Sequence, residues 1–163
     1  MTKLRVGIGF DQHAFANGPE RDMPLVLGGV RFEAEQGLKG HSDADVVAHA
    51  VADAMLGAAG LGDLGAHFPD TDQRWAGADS LAILAQVAAL IMSTGLRLAN
   101  ADCTVICEIP RIGDGREIMM ERLSAVARQA IPSTRPRLPS PSGRVAFTCT
   151  GPAAAALLEE IGL

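Results

Sequence analysis

The chain has 163 residues, of which 48% are hydrophobic and 20% charged, a composition typical of a globular protein rather than a disordered one. The length predicts a single domain over residues 1–163 that needs no disulfide bonds. Fourteen basic and nineteen acidic side chains give a net charge of −5, with no basic cluster, which argues against a nucleic-acid partner or a membrane-surface helix.

Neither a membrane span nor a secretory signal is predicted. The best apolar run, residues 81–92, is too short to cross a bilayer, and no apolar segment opens the chain. The three cysteines, Cys103, Cys107 and Cys149, lack CxxC spacing, so a reduced, cytoplasmic setting is expected. Cys103 and Cys107 are expected in a buried strand, where cysteine behaves as a small hydrophobe.

The first half of the chain predicts strands followed by a helix. Residues 4–10, 24–30 and 31–35 have the composition of strands. A helix is expected to start at Ser42, because Ser42 and Asp45 have the S-x-x-D form of a capping arrangement. Its core stripe at helical spacing would be Val47, Val51, Ala54, Met55 and Ala58.

The second half continues the mixture of helices and strands. Residues 60–78 are Gly- and Asp-rich and predict a loop, and residues 79–93 predict a helix that Gly95 ends. A strand is expected within residues 97–109, a third helix over residues 115–130 and a last strand over residues 144–150. The predicted fold class is α+β, with helices packed on one face of a small β-sheet.

Two short segments carry residues suited to a metal ion. Asp11 and His13 would point the same way on extended backbone, and His49 would face away from the apolar stripe of its helix. Asp and His are zinc ligands, and catalytic zinc sites use three such ligands and keep one position open. The alternative is that His49 pairs with Asp45 or Asp53 on a solvated helix face while Asp11 and His13 merely turn a loop.

Other features allow two interpretations each. His41 and Ser42 at a helix start would favour an anion such as phosphate, although Ser42 could simply cap the helix. Residues 60–65 match G-x-G-x-x-G but follow a helix, and Pro69 blocks the helix that should come next, so they are no dinucleotide fingerprint. The length of the loop favours a functional role, against an ordinary surface loop.

Several motifs occur in a fixed order over residues 5 to about 112. They are R-V-G-I-G-F-D-Q-H, L-G-G-V, H-S-D-A-D-V-x-x-H-A, D-A-M-L-G-A-A-G-L-G-D-L-G, and F-P-D-T-D followed by G-A-D-S. Together they resemble the 2-C-methyl-D-erythritol 2,4-cyclodiphosphate synthase family. The resemblance implies a lyase of non-mevalonate isoprenoid (terpenoid) biosynthesis, which converts 4-diphosphocytidyl-2-C-methyl-D-erythritol 2-phosphate to the cyclic diphosphate and releases CMP. It further implies a homotrimer with active sites between subunits, a Zn²⁺ or similar cation, and a second divalent cation, Mg²⁺ or Mn²⁺.

The same resemblance implies roles for individual residues. Asp11, His13 and His49 match the metal ligands, His41 matches a transition-state stabiliser, and Pro141 stands at the position of a catalytic Thr. The implied substrate-binding residues are Asp11, Gln12, His13, His41, Ser42, Asp63, Leu64, Gly65, Phe68, Pro69, Asp70, Thr71, Asp72, Cys107, Pro110, Arg111, Ile112, Gly113, Ser140, Phe147 and Thr150.

Residues 132–163 depart from the family pattern. Pro141 has no hydroxyl group, and Gly143, which cannot ligate a cation, replaces the Glu that binds the second metal. Thr150 stands where an Arg lines the cavity on the threefold axis. These departures leave a second interpretation, a catalytically impaired relative that binds zinc and a cytidine nucleotide or a pathway partner. A third is an unrelated metallo-phosphohydrolase.

Overall fold

The computed structural model describes residues 4–17 and 22–128, which contain one hairpin and four helices. Strands β1 (Leu25–Leu27) and β2 (Val30–Phe32) are antiparallel. The helices are α1 (Val46–Ala59), α2 (Leu64–His67), α3 (Ser80–Ser93) and α4 (Arg116–Arg128). Helices with a small sheet confirm the predicted α+β class. The strand predicted over residues 144–150 and Cys149 lie outside the described residues.

The β1–β2 hairpin replaces two longer predicted strands. Gly28 and Gly29 form its turn with φ of 57° and 74°, a left-handed conformation that glycine adopts without steric cost. The turn also lies against α4, because a Cβ at Gly28 would be only 2.8 Å from the Cβ of Met119. The strands at residues 24–30 and 31–35 are therefore confirmed in place but are shorter than predicted.

Helix α1 begins four residues later than predicted, and its N-cap is Asp45 rather than Ser42. The fully buried Asp45 carboxylate accepts hydrogen bonds from the backbone N–H groups of Val47 (3.1 Å) and Ala48 (3.2 Å). It also accepts from Gly28 (2.8 Å) and Gly29 (2.6 Å) in the hairpin turn. The prediction of a helix start at Ser42 is wrong because Asp45 has these additional tertiary partners.

The core lies between the helices, with α1 packed on α3 and α3 packed on α4. The predicted stripe of α1 is confirmed where it meets the core, since Val47, Val51 and Met55 are buried. Helix α3 begins after Asp79, whose carboxylate accepts from Leu81 N–H, and Gly95 follows its end with φ of 80°. Residues 79–93 and Gly95 thus have the predicted roles.

The N-terminal segment, residues 4–10, has no strand partner among the described residues, so the strand predicted for it does not form there. Instead it packs on α1 through glycine: a Cβ at Gly9 would lie 1.9 Å from the carbonyl oxygen of Ala50. Side chains on its other face are exposed, with 85% of Leu4, 88% of Val6 and 92% of Ile8 accessible. The segment leads directly to Asp11 and fixes its distance from α1.

Two other predicted segments, residues 60–78 and 97–109, differ from the structure. The predicted loop over residues 60–78 contains α2 and a 3₁₀ turn, Gln73–Trp75. No strand forms within residues 97–109 among the described residues, and Cys103 and Cys107 are half-buried rather than buried. No described helix combines the length and apolar character needed to cross a bilayer.

Candidate functional site

Three side chains from two separate segments meet at one point. Asp11 Oδ2 lies 3.1 Å from His13 Nε2 and 3.0 Å from His49 Nδ1. One ligand atom from each residue lies within 4.8 Å of the others, so the group could hold a metal ion. The structure therefore brings together the predicted set. The imidazole of His49 contacts Asp11, Ser42 and Ser80, and among the described residues it makes no hydrogen bond to the carboxylate of Asp45 or Asp53, so the alternative side-chain pairing does not form.

Local structure explains why these groups converge. Asp11 and His13 are two residues apart on irregular backbone, and both side chains turn toward α1. His49 lies in the first turn of α1, whose start is fixed by the Asp45 cap. Packing of Gly7 and Gly9 against the α1 backbone brings the two segments close enough for direct contact.

The outer nitrogen of each imidazole is also engaged. His13 Nδ1 lies 2.5 Å from the carbonyl oxygen of Lys39, and His49 Nε2 lies 2.8 Å from Ser80 Oγ and 3.3 Å from Ser42 Oγ. Because a carbonyl oxygen only accepts, His13 Nδ1 must be the donor. Metal-binding histidines commonly donate their second ring N–H in this way.

This arrangement fits a divalent cation. With Nδ1 of His13 protonated toward Lys39, its inner nitrogen faces the carboxylate of Asp11, and so does that of His49. A nitrogen lone pair and a carboxylate oxygen attract each other only if a proton or a cation lies between them. One carboxylate and two imidazoles are a zinc-type donor set.

The electrostatics of the metal-free site favour a negative carboxylate. Burial by itself raises the pKa of Asp11, but hydrogen bonds and charge interactions with His13 and His49 outweigh it and hold that pKa well below the usual value. The hydrogen bond to Asp11 in turn raises the pKa of His13. Asp11 thus stays ionised as a ligand, while His13 must lose a proton to bind metal.

His41, the predicted transition-state stabiliser, lies against the substrate loop predicted at residues 68–72. Its Nε2 donates to the carbonyl oxygen of Asp72 at 3.2 Å, and its own carbonyl oxygen accepts from Gly77 N–H at 2.8 Å. The carboxylate of Asp72 caps the 3₁₀ turn and pairs with Arg74, which lowers the pKa of Asp72. Asp70 and Thr71 are exposed.

Ser42 occupies a different place from the predicted helix N-terminus. Its Oγ accepts from Ala44 N–H at 3.2 Å and lies near His49, while Asp45 binds the first N–H groups of α1. The predicted phosphate site on those helix donors is therefore wrong, because the buried Asp45 carboxylate already binds them. Ser42 remains beside the metal ligands through its side chain.

The segment 63–65 connects to the same helix as His49. Leu64 N–H donates to the carboxylate of Asp53 at 2.6 Å, and Asp63 caps α2 by accepting from Ala66 N–H at 2.9 Å. Gly65 is exposed. Asp53 lies one helical turn beyond His49, so α1 positions both the predicted metal ligand and this predicted substrate segment.

The predicted cytidine segment is separate from the metal site. Cys107 Sγ donates to the carbonyl oxygen of Pro110 at 3.7 Å, and Ile112 packs on the core. Arg111 and Gly113 are exposed. Between described residues, no hydrogen bond or ion pair links this segment to Asp11, His13 or His49. The residues predicted to bind or act on the substrate in the last part of the chain lie outside the described residues; they are Ser140, Pro141, Phe147 and Thr150, together with Gly143 at the second-metal position.

The patterns in the sequence do not single out Ser80 or the carbonyl group of Lys39 as partners of the imidazoles. A Lys carbonyl carries no signal of its own, since every residue has one. For Ser80 the only signal is its place in G-A-D-S at a helix start, which is also an ordinary capping pattern.

Comparisons with known proteins agree with the geometry. The profile of the YgbB family matches residues 4–133. A 2-C-methyl-D-erythritol 2,4-cyclodiphosphate synthase of Rubrobacter xylanophilus is 56% identical over 125 residues, 77% of this chain and 74% of that protein. One from Acaryochloris marina is 50% identical over 126 residues, 77% of this chain and 76% of that protein.

Solved structures give the same result. A 2C-methyl-D-erythritol-2,4-cyclodiphosphate synthase in a CDP-bound form is 33% identical, with a TM-score of 0.74 over 92% of this chain and 91% of that chain. The chain belongs to the YgbB family, the family of the 2-C-methyl-D-erythritol 2,4-cyclodiphosphate synthases.

Proposed function

We propose that this chain catalyses the family reaction: it converts 4-diphosphocytidyl-2-C-methyl-D-erythritol 2-phosphate to 2-C-methyl-D-erythritol 2,4-cyclodiphosphate and releases CMP, a step of isoprenoid biosynthesis by the non-mevalonate route. The observation that carries the proposal is the convergence of Asp11, His13 and His49 in a chain 56% identical to a protein of that name. The impaired-relative alternative is not favoured, because the similar proteins are named as synthases.

The proposed cation at Asp11, His13 and His49 is Zn²⁺. When bound, it would act as a Lewis acid that neutralises charge on a phosphate oxygen. In a chain of net charge −5 such neutralisation matters, since the substrate is itself a polyanion. A second cation, Mg²⁺ or Mn²⁺, is proposed from the family resemblance alone. Gly143 replaces the Glu that binds this cation in the family, so that ligand is missing here.

In this reaction an oxygen of the 2-phosphate bonds to the β-phosphorus, and the bond from that phosphorus to the CMP oxygen breaks. CMP leaves with the electron pair of that bond, and because the attacking 2-phosphate oxygen is already ionised, no base is needed to remove a proton from it. The protein's share is to position the reacting groups and to balance their charge. His41 carries a proton on Nε2, now donated to Asp72 carbonyl, and would redirect it to a phosphate oxygen.

The remaining substrate contacts are assigned by position in the family motifs. Gln12 and Ser42 flank the metal ligands, the segments 63–65 and 68–72 border the sugar and diphosphate, and the segment 107–113 takes the cytidine. A CDP-bound relative supports a cytidine nucleotide as the ligand class. Pro141 stands at the position of a catalytic Thr but has no hydroxyl group, and roles in substrate binding for Ser140, Phe147 and Thr150 are likewise proposed only from position.

The assembly proposed is a homotrimer of single-domain chains, with the sites between subunits. Leu4, Val6 and Ile8 are 85–92% exposed in the single chain and lie at alternate positions of one extended segment. An apolar row of this kind favours a protein partner over open water. A cytoplasmic location is proposed because the three cysteines lack CxxC spacing, which favours a reduced setting.

A direct assay tests the function. Purified chain with Zn²⁺ and Mg²⁺ should release CMP from the cytidylyl substrate, measured by chromatography, with the cyclic diphosphate identified by ³¹P NMR. The variant His41→Ala should lose about a hundredfold in kcat, as expected for one transition-state donor. His67→Ala, which removes the exposed imidazole at the last residue of α2, is the matched control and should retain full activity. Absence of turnover under every metal condition would refute the proposal.

A further inference from the structure

Ser80 connects the metal site to a second carboxylate. It is the first residue of α3 and is only 1% exposed. Its Oγ lies 2.8 Å from His49 Nε2 and donates a short hydrogen bond to Asp43 Oδ1. Ser80 N–H also donates to Asp43 Oδ2 at 3.2 Å, so Asp43 holds Ser80 by two groups.

Counting protons fixes the direction of each hydrogen bond. The carboxylate of Asp43 can only accept, and the Ser80 hydroxyl has a single proton, which it gives to Asp43. The contact between Ser80 Oγ and His49 Nε2 then requires that His49 be the donor. A neutral His49 protonated at Nε2 has its lone pair on Nδ1, the atom that faces Asp11.

We propose that Ser80, held by Asp43, is a positioning residue for the metal ligand: it keeps His49 in the Nε2-protonated tautomer and so presents Nδ1 to the cation. The inference rests on the proposed function of Asp11, His13 and His49 as the metal site. For His13 the equivalent partner is the carbonyl oxygen of Lys39, which no side-chain substitution removes. Ser80 is therefore the point where this orientation can be tested.

The first test is the affinity for Zn²⁺, measured by competition with a chromophoric chelator. Ser80→Ala should bind Zn²⁺ about ten- to a hundredfold more weakly than the unsubstituted chain, the usual effect of losing such a partner. Ser93→Ala is the matched control, because Ser93 is exposed at the other end of α3 and its hydroxyl group donates to the carbonyl oxygen of Leu90, within the same helix. Equal affinity in all three proteins would overturn the proposal.

The second test identifies the tautomer of His49 in the unsubstituted chain and compares its proton exchange with that in Ser80→Ala. In the zinc-loaded chain, ¹⁵N NMR should show His49 coordinated through Nδ1, with Nε2 carrying a proton that exchanges slowly. In Ser80→Ala that proton should exchange faster. Coordination of His49 through Nε2, or identical exchange in the two proteins, would contradict the assignment.

A further variant covers the case in which Ser80→Ala does not fold, as judged by circular dichroism. Asp43→Ala removes the acceptor of the Ser80 hydroxyl group, whose proton is then free to reach His49 Nε2, so a similar loss of Zn²⁺ affinity is expected. An unchanged affinity would overturn the role of the pair. If Asp11, His13 and His49 did not form a metal site at all, the unsubstituted chain and His49→Ala would bind the same amount of zinc. This result distinguishes failure of the proposed metal site from failure of the role of Ser80.

Discussion

His13 Nδ1 donates to the carbonyl oxygen of Lys39 across 2.5 Å, a contact between residues 26 positions apart in the chain. This hydrogen bond orients the His13 ring so that Nε2 faces Asp11, whereas His49 presents Nδ1 to the same carboxylate oxygen. The two imidazoles therefore use different ring nitrogens. Each is fixed by a partner outside the ligand set, so the site is preorganised before any cation binds.

The substitution His49→Ala should remove most of the bound zinc and leave the chain folded. His49 contacts Asp11 and Ser80 rather than the apolar core of α1, so we expect a loss of about 1 kcal/mol in stability, typical of a single substitution. Metal content by mass spectrometry and circular dichroism check the two parts. His67→Ala is the control and should keep its zinc; full zinc retention by His49→Ala would refute the ligand assignment.

Zinc affinity should fall as the pH is lowered. The hydrogen bond to Asp11 raises the pKa of His13 above its ordinary value of 6.5, and zinc must displace that proton. Below the raised pKa, the apparent affinity should drop about tenfold per pH unit for each proton displaced; above it, the His13 contribution should level off. Asp11 adds nothing above pH 5, since its pKa is lowered. Chelator competition between pH 5 and 9 measures this, and a flat profile would contradict it.

Removing the carboxylate of Asp45 should destabilise the fold more than removing another helix cap. Asp45→Ala leaves the N–H groups of Gly28 and Gly29 without their acceptor and uncaps α1, so we expect a loss of ~3 kcal/mol or more in unfolding free energy. Asp79→Ala removes only the exposed cap of α3 and should cost about 1 kcal/mol. Urea denaturation at one protein concentration compares them, and equal losses would count against the account of Asp45.

The contact between the N-terminal segment and α1 predicts opposite effects for two glycines. Gly9→Ala would place a methyl group 1.9 Å from the Ala50 carbonyl oxygen, so the segment must shift, at a cost of about 1–3 kcal/mol, and Asp11 should shift with it. At Gly57, an exposed residue of α1, a Cβ would come no closer than 3.9 Å to the Ile8 carbonyl oxygen, so Gly57→Ala should fit without a shift and stabilise the protein by about 0.5–1 kcal/mol.

Thermal unfolding and zinc titration of both variants test this prediction. Zinc affinity should fall in Gly9→Ala and remain unchanged in Gly57→Ala. If Gly9→Ala bound zinc as tightly as the unsubstituted chain, the packing of residues 4–10 would not be what positions Asp11.

Local patterns indicated Asp11, His13 and His49 as one candidate metal site, and the family resemblance favoured this set over a pairing of His49 on its own helix. Asp11 and His13 are two residues apart, and the apolar periodicity of α1 showed that His49 lies off the core stripe. The same reasoning placed the start of α1 wrongly, because Ser42 and Asp45 are both good caps by sequence. Only the tertiary bonds from Gly28 and Gly29 to Asp45 decide between them.

Local sequence patterns could not predict contacts between residues that are distant in the chain. Ser80 and His49 are 31 positions apart, and a serine at a helix start gives no sign that it faces an imidazole. The alternating apolar residues 4–10 predicted a strand, but a strand also needs a partner, and spacing within one segment cannot supply it. Composition alone likewise could not show that Asp72 and Gly77 bond to His41.

The most direct measurement is anomalous X-ray scattering at the zinc edge from crystals of the chain grown with zinc. We expect one anomalous peak bonded to Asp11, His13 Nε2 and His49 Nδ1, with zinc–nitrogen distances of about 2.0–2.1 Å. Zinc bound elsewhere with no peak between these three side chains would contradict it.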